Sequence, residues 1–117
     1  MTYMLLINEP IGQREARSEA EGREVYARMQ RFGESLQSRG LLRAVESLKS
    51  QADAARVEVR QGRAQVLDGP FAEAKEMIGG FFLLENTSRE EALAIAAECP
   101  AAEWCTVEVR ALGPCYE

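Results

Sequence analysis

Histidine is absent from all 117 residues. Without an imidazole, no side chain ordinarily titrates near neutral pH. Ser–His and Cys–His nucleophile pairs and His-ligated zinc are excluded with it. Cysteine is scarce: Cys99, Cys105 and Cys115 are odd in number and fit no disulfide or zinc spacing. They read as reduced thiols of a cytoplasmic protein. Basic residues number 14 against 19 acidic, a net charge of −5. A basic face that neutralises phosphates is therefore not expected, and nucleic acid is excluded as a partner. A small anion held by a few local arginines stays compatible with that balance. The opening apolar run from Met1 to Ile7 stops at Asn8 and Glu9 and has no basic leader. It is too short for a membrane span or signal peptide and reads as a strand, so no membrane partner is expected.

Hydrophobic residues make up 46% of the chain and charged residues 28%. That mixture can bury one core without metals or disulfides, and the length fits a single domain over residues 1–117. Tyr3 to Ile7 is apolar on both faces, as in a central strand. Asn8 to Ser18 carries Pro10 and Gly12 and reads as a loop. A helix is predicted over Glu19 to Arg39, where Val25, Met29, Phe32 and Leu36 form one stripe. Gly40 supplies its left-handed stop. A strand is predicted over Leu41 to Leu48, and a hairpin over Arg56 to Arg60 and Ala64 to Leu67. One or two helical turns are predicted over Ala72 to Met77, then a strand over Phe81 to Glu85. Ser88 and Glu91 form a capping box for a helix from Arg89 to about Glu98, which Pro100 ends. Trp104 to Arg110 alternates as a last strand.

This order gives an α+β fold: a ferredoxin-like plait with an antiparallel sheet, two main helices on one face and an extra hairpin. The other sheet face has no helix over it, yet Met4, Leu6 and the Phe81–Leu84 run are apolar. A second copy of the chain is the simplest cover. The expected partner is therefore the protein itself, as a homodimer.

The segment from Asp68 to Glu76 concentrates unusual local chemistry. One reading of Asp68 is structural: an N-cap whose carboxylate accepts from the Phe71 N–H. Gly69 then permits the turn, Pro70 starts the helix and Phe71 plugs the core. The other reading makes Asp68 a catalytic base at the mouth of a cleft. A carboxylate is a weak base at neutral pH unless burial raises its pKa. Gly69, Pro70, Phe71, Glu73, Lys75 and Arg43 form the candidate ligand-binding set, with Lys75 or Arg43 holding an anionic substrate. Glu73 and Lys75 stand two apart on a predicted helix, so only one of them joins Asp68. Gly79-Gly80 reads as a turn or bulge before a strand, and no Gly-Lys-Ser/Thr follows to make a phosphate loop. No metal and no cofactor is expected.

Asp68-Gly69-Pro70-Phe71, with Glu73, Lys75-Glu76 and Gly79-Gly80, resembles the signature of the DGPF-domain branch of the YCII-related family. The Tyr3–Ile7 run, Cys99-Pro100-Ala101-Ala102 and Val107-Glu108-Val109-Arg110 extend the resemblance over nearly the whole chain. The resemblance implies a dimeric ferredoxin-like fold of the α/β-barrel type. It implies little about activity, since most members have no assigned function. Some members look like lyases or dehalogenases that use a histidine–aspartate pair. Asp68 matches that aspartate, and nothing here matches the histidine. Others are encoded beside sigma-factor systems. Three functions follow as candidates: a module binding a small, possibly anionic molecule near Asp68; a metal-free lyase, isomerase or dehalogenase-like enzyme with Asp68 as base; and a regulatory accessory of sigma-factor systems.

Overall fold

The computed structural model describes residues 2–117. In chain order the elements are β1 (Tyr3–Pro10), α1 (Glu19–Ser38), β2 (Leu42–Ser47), β3 (Ala55–Arg60), β4 (Arg63–Asp68), β5 (Glu76–Leu84), α2 (Arg89–Glu98) and β6 (Thr106–Ala111). Four strands form one sheet in the order β2-β5-β1-β6 with every neighbouring pair antiparallel. This is the expected ferredoxin-like plait. Its extents of 47 × 41 × 19 Å leave room in the thin direction for one sheet and one helix layer only.

Both helices begin at capping boxes. Ser18 accepts from the Glu21 N–H and Glu21 accepts from the Ser18 N–H, and Ser88 and Glu91 repeat the pattern. The bonds from Ser18 and Ser88 hold both glutamates below the ordinary carboxylate pKa. Gly40, at φ +72°, ends α1 as expected. Its N–H bonds the Gln37 carbonyl at 3.0 Å, and the Leu41 N–H bonds the Leu36 carbonyl at 3.0 Å. Phe32 and Leu36 are buried against Tyr3, Leu5, Ile7, Phe82 and Leu84, and Ala92, Ile95 and Ala96 of α2 complete the core. Alternation sends Met4 and Leu6 of β1, and Phe81 and Leu83 of β5, to the opposite face. There they are only half-buried.

Three local expectations are corrected. β1 does not stop at Ile7: Asn8, Glu9 and Pro10 pair with Ile78, Met77 and Glu76. Ala72 to Met77 is not helical. A turn covers residues 72–73 and β5 begins at Glu76, because the β1 ladder claims the backbone groups that a helix would need. Asp68 is the last residue of β4 and caps no helix.

The β3–β4 hairpin turns through Gln61 and Gly62, both with positive φ (53° and 74°), as a two-residue hairpin loop requires. It forms a separate two-stranded sheet. Val57, Val59 and Val66 on it remain 64%, 60% and 65% exposed.

Candidate functional site

The inward alternation of β1 runs Tyr3, Leu5, Ile7 and then Glu9. Glu9 keeps only 6% of its surface exposed, a carboxylate on an otherwise apolar face. Burial of an unpaired carboxylate is costly, and Arg14 in the following loop supplies the partner. Its Nε donates to both carboxylate oxygens at 3.1 Å, and its Nη2 donates to Oε1 at 2.5 Å. Gly79 makes room for the pair. It lies where the β1–β5 register shifts, opposite the step from Ile7 to Asn8. A Cβ at Gly79 would stand 1.8 Å from Glu9 Oε1 and 3.0 Å from Arg14 Nη2. At Gly80 it would stand 2.7 Å from the Glu46 carbonyl oxygen. The Gly79-Gly80 pair thus belongs to a bulge inside β5, where steric room is what glycine provides.

Beside this ion pair α1 stands off from the sheet. The space between is a cavity of about 560 Å³, within the size range of small-molecule sites. Val25, Met29 and Gly33 line it from α1, and Ile7, Leu42, Val45 and Phe82 from the sheet. Glu9, Arg14, Arg17, Trp104 and Cys105 also line it, as do the carboxylate-bearing Glu34 and Glu46. Arg17 lies 5.7 Å from the centre of the Trp104 ring, and Arg28 lies 5.2 Å from it, both within cation–π range. Arg28 is also paired with Glu103. Among the described residues Arg17 has no ion pair.

Burial, and then the charge of Glu9, push the Cys105 thiol up to about 11. A thiol with that value stays protonated at pH 8 and is a poor nucleophile there. Alkylation by iodoacetamide at pH 8 followed by peptide mass spectrometry should label exposed Cys115 first. Cys105 labelling should rise only as the pH approaches 11. Cys105 labelled as fast as Cys115 at pH 8 would contradict this. Cys99 is fully buried, and burial raises its pKa as well.

The residues around Asp68 form a different kind of place. Asp68 is exposed at the hairpin base, paired across the ladder with Ala55. Among the described residues it has no ion pair. The Phe71 N–H, assigned in the capping reading to Asp68, donates instead to Gln51 Oε1 at 2.9 Å. The Gly69 N–H bonds the Ala54 carbonyl at 2.7 Å, and the Gly69–Pro70 bond is cis. A Cβ at Gly69 would lie 2.1 Å from the Gln51 carbonyl oxygen. Phe71 is buried outside the main core, under the Arg56 guanidinium 3.8 Å from the ring centre. It lines a shallower hollow with Leu48, Gln51, Met77 and Ile78. Glu73, Lys75, Arg43 and Pro70 are exposed, and none of them lines either cavity. The structure therefore joins Gly69 and Phe71 to Gln51 and Ala54, and does not gather Asp68, Glu73, Lys75 and Arg43 around one space.

Glu9, Arg14, Arg17 and Trp104 escaped the sequence reading as site residues. The signal for Glu9 was a carboxylate continuing a period-two inward face, opposite a Gly-Gly pair. No group of three or more Cys, Asp or Glu gathers as metal ligands among the described residues. Among those residues no helix is long and apolar enough to cross a membrane.

Fold and site together define a ferredoxin-like α+β domain with a side cavity between its first helix and its sheet. The chain belongs to the YCII-related domain family, whose model matches residues 1–115. An uncharacterized protein of Rhizobium meliloti (strain 1021) is 40% identical over 75 residues, which is 62% of this chain and 60% of the relative. The match thus spans less than two thirds of that relative's length.

Proposed function

We propose that the protein is a small-molecule binding module, working as a cytoplasmic homodimer, that takes its ligand into the cavity between α1 and the sheet. The observation that carries this reading is the Glu9–Arg14 pair, with its carboxylate buried, in the wall of a cavity that Val25, Met29, Val45 and Phe82 also line. A pocket with an apolar body and a few fixed polar groups is the usual form of a small-ligand site. Asp68 is exposed, and among the described residues it has no ion pair, so nothing gathered there would orient a substrate. The lyase reading keeps no supporting geometry at that residue.

Trp104 is the chain's single tryptophan and lines the cavity, so its emission reports on occupancy. A compound that changes this emission should lose binding in Val25→Phe, which fills the slot, and keep it in Asp68→Asn. Binding untouched by V25F and abolished by D68N would return the site to the hairpin base.

Support for the dimer comes from Met4, Leu6, Phe81 and Leu83, which form an apolar patch on the uncovered sheet face. Light scattering at micromolar concentration should give twice the 13.0 kDa chain mass. Leu6→Lys should give the monomer. A monomeric wild type would overturn this part of the proposal.

A further inference from the structure

The β3–β4 hairpin carries an apolar face that its own chain leaves bare. Every residue of both strands is exposed. Among the described residues, 55–68 form hydrogen bonds and ion pairs only with one another. A lone two-stranded hairpin is marginally stable in water, and a bare apolar one is open to pairing with other chains. Val57 stands directly opposite Val66, and Val59 opposite Ala64, so alternation gathers these four side chains on one face. A hairpin that stayed solvated would have no use for such a face.

Continuity, size and charge each indicate a second copy of the chain as its cover. Ile78 pairs with Asn8, which sets it on the same uncovered sheet face as Leu6 and Phe81. Ile78 and Leu48 are exposed and line one hollow with Ala54 and Arg56 at the foot of the hairpin. Bare apolar surface therefore runs from the sheet face to the hairpin. A stable interface takes about 20–30 residues from each partner. The sheet face draws alternate residues from strands of 8, 6, 9 and 6 residues, which falls short without the hairpin. Arg56, Arg60 and Arg63 outnumber Glu58 and Asp68, so the hairpin is positive in a chain of net charge −5. Two acidic bodies repel on approach, and a positive arm from each offsets that repulsion.

We propose that the hairpin is an arm that lays its valine face on a second copy of the chain and extends the sheet-face contact. This rests on the dimer reading above and assigns a second part of its interface. By two-fold symmetry each copy gives one arm and receives one.

The test pairs Val57→Thr with Val66→Thr in the full chain. Threonine keeps the β-branch and the strand preference, so the hairpin stays formed while its face turns polar. Sedimentation over a dilution series should show the dissociation constant rising about tenfold or more. In the monomeric Leu6→Lys protein the same pair should leave the melting temperature unchanged, since the valines are already bare there. Amide exchange of the peptide spanning residues 55–68 should slow above the wild-type dissociation constant and speed up below it. A wild-type dimer whose dissociation constant ignores V57T/V66T, with hairpin exchange the same above and below it, would overturn the arm and leave the sheet-face dimer intact. A melting temperature lowered by the pair in the Leu6→Lys monomer would show that the valines serve their own chain, and would overturn it too. Hairpin protection that appears only on adding phosphatidylglycerol vesicles would give the face to a lipid surface instead. A wild type that is monomeric throughout the series would overturn the dimer reading and the arm together.

Discussion

Gly79→Ala is expected to destabilise the protein by about 3 kcal/mol, because the added methyl group displaces a buried carboxylate from its partner. For a chain of this size that lowers the melting temperature by about 10 °C. Gly79 is not among the glycines with positive φ, so its backbone does not demand glycine. The demand is spatial: the Cβ would sit 1.8 Å from Glu9 Oε1 and 2.8 Å from its Cδ. Glu9 cannot easily swing aside, since both its oxygens are bonded and its side chain is only 8% exposed. Arg14 is 31% exposed, and this partial solvation keeps the expected cost at the lower end for a broken buried pair. A double-mutant cycle isolates the cause. In a Glu9→Ala background, Gly79→Ala should cost less than about 1 kcal/mol, giving a coupling near 2 kcal/mol. Equal costs in both backgrounds would show that Gly79 is kept for a reason unconnected with Glu9.

Phe71→Ala is expected to cost about 2–3 kcal/mol, while Asp68→Asn changes stability by less than about 0.5 kcal/mol. The two residues belong to one tetrapeptide but have opposite environments. Phe71 is buried at 7% exposure, fills the base of the hairpin and carries the Arg56 guanidinium. Its neighbour Gly69 is held against the Gln51 and Ala54 carbonyls. Asp68 is exposed, and among the described residues it has no ion pair. The tetrapeptide therefore anchors the hairpin to the sheet. A urea titration should show a lower midpoint for F71A with the slope unchanged, and a curve for D68N close to the wild type. A large loss in D68N would mean that the carboxylate holds the turn after all.

Much of the fold was legible because its elements carry local signals. The α1 stripe, the Gly40 stop, the Ser88–Glu91 box and the hairpin turn each follow from near neighbours in the chain. Where the reading failed, tertiary contacts decided. Asn8, Glu9 and Pro10 look like loop residues, yet β5 pairs with them and continues the strand. Ala72 to Met77 has residues suited to a helix, but its second half is claimed by the same ladder. Ser18 with Glu21 was readable by the rule that found the α2 cap, and went unread.

The site was less legible for the same reason. The Asp68 segment stands out as a string of letters, and its glycine, proline and aromatic residues serve a structural corner. Glu9, Arg14, Arg17, Trp104 and the two glycines are scattered along the chain. Only the plait brings them to the wall of one cavity.

The most direct test of where the ligand enters is a ¹H–¹⁵N titration of the labelled protein with a compound that changes Trp104 emission. Cavity binding predicts that the Gly79 and Gly80 amides and the Trp104 indole N–H shift together, while the Gly69 and Phe71 amides hold still. Shifts concentrated at Gly69, Phe71 and Asp68, with Gly80 and Trp104 unmoved, would contradict it.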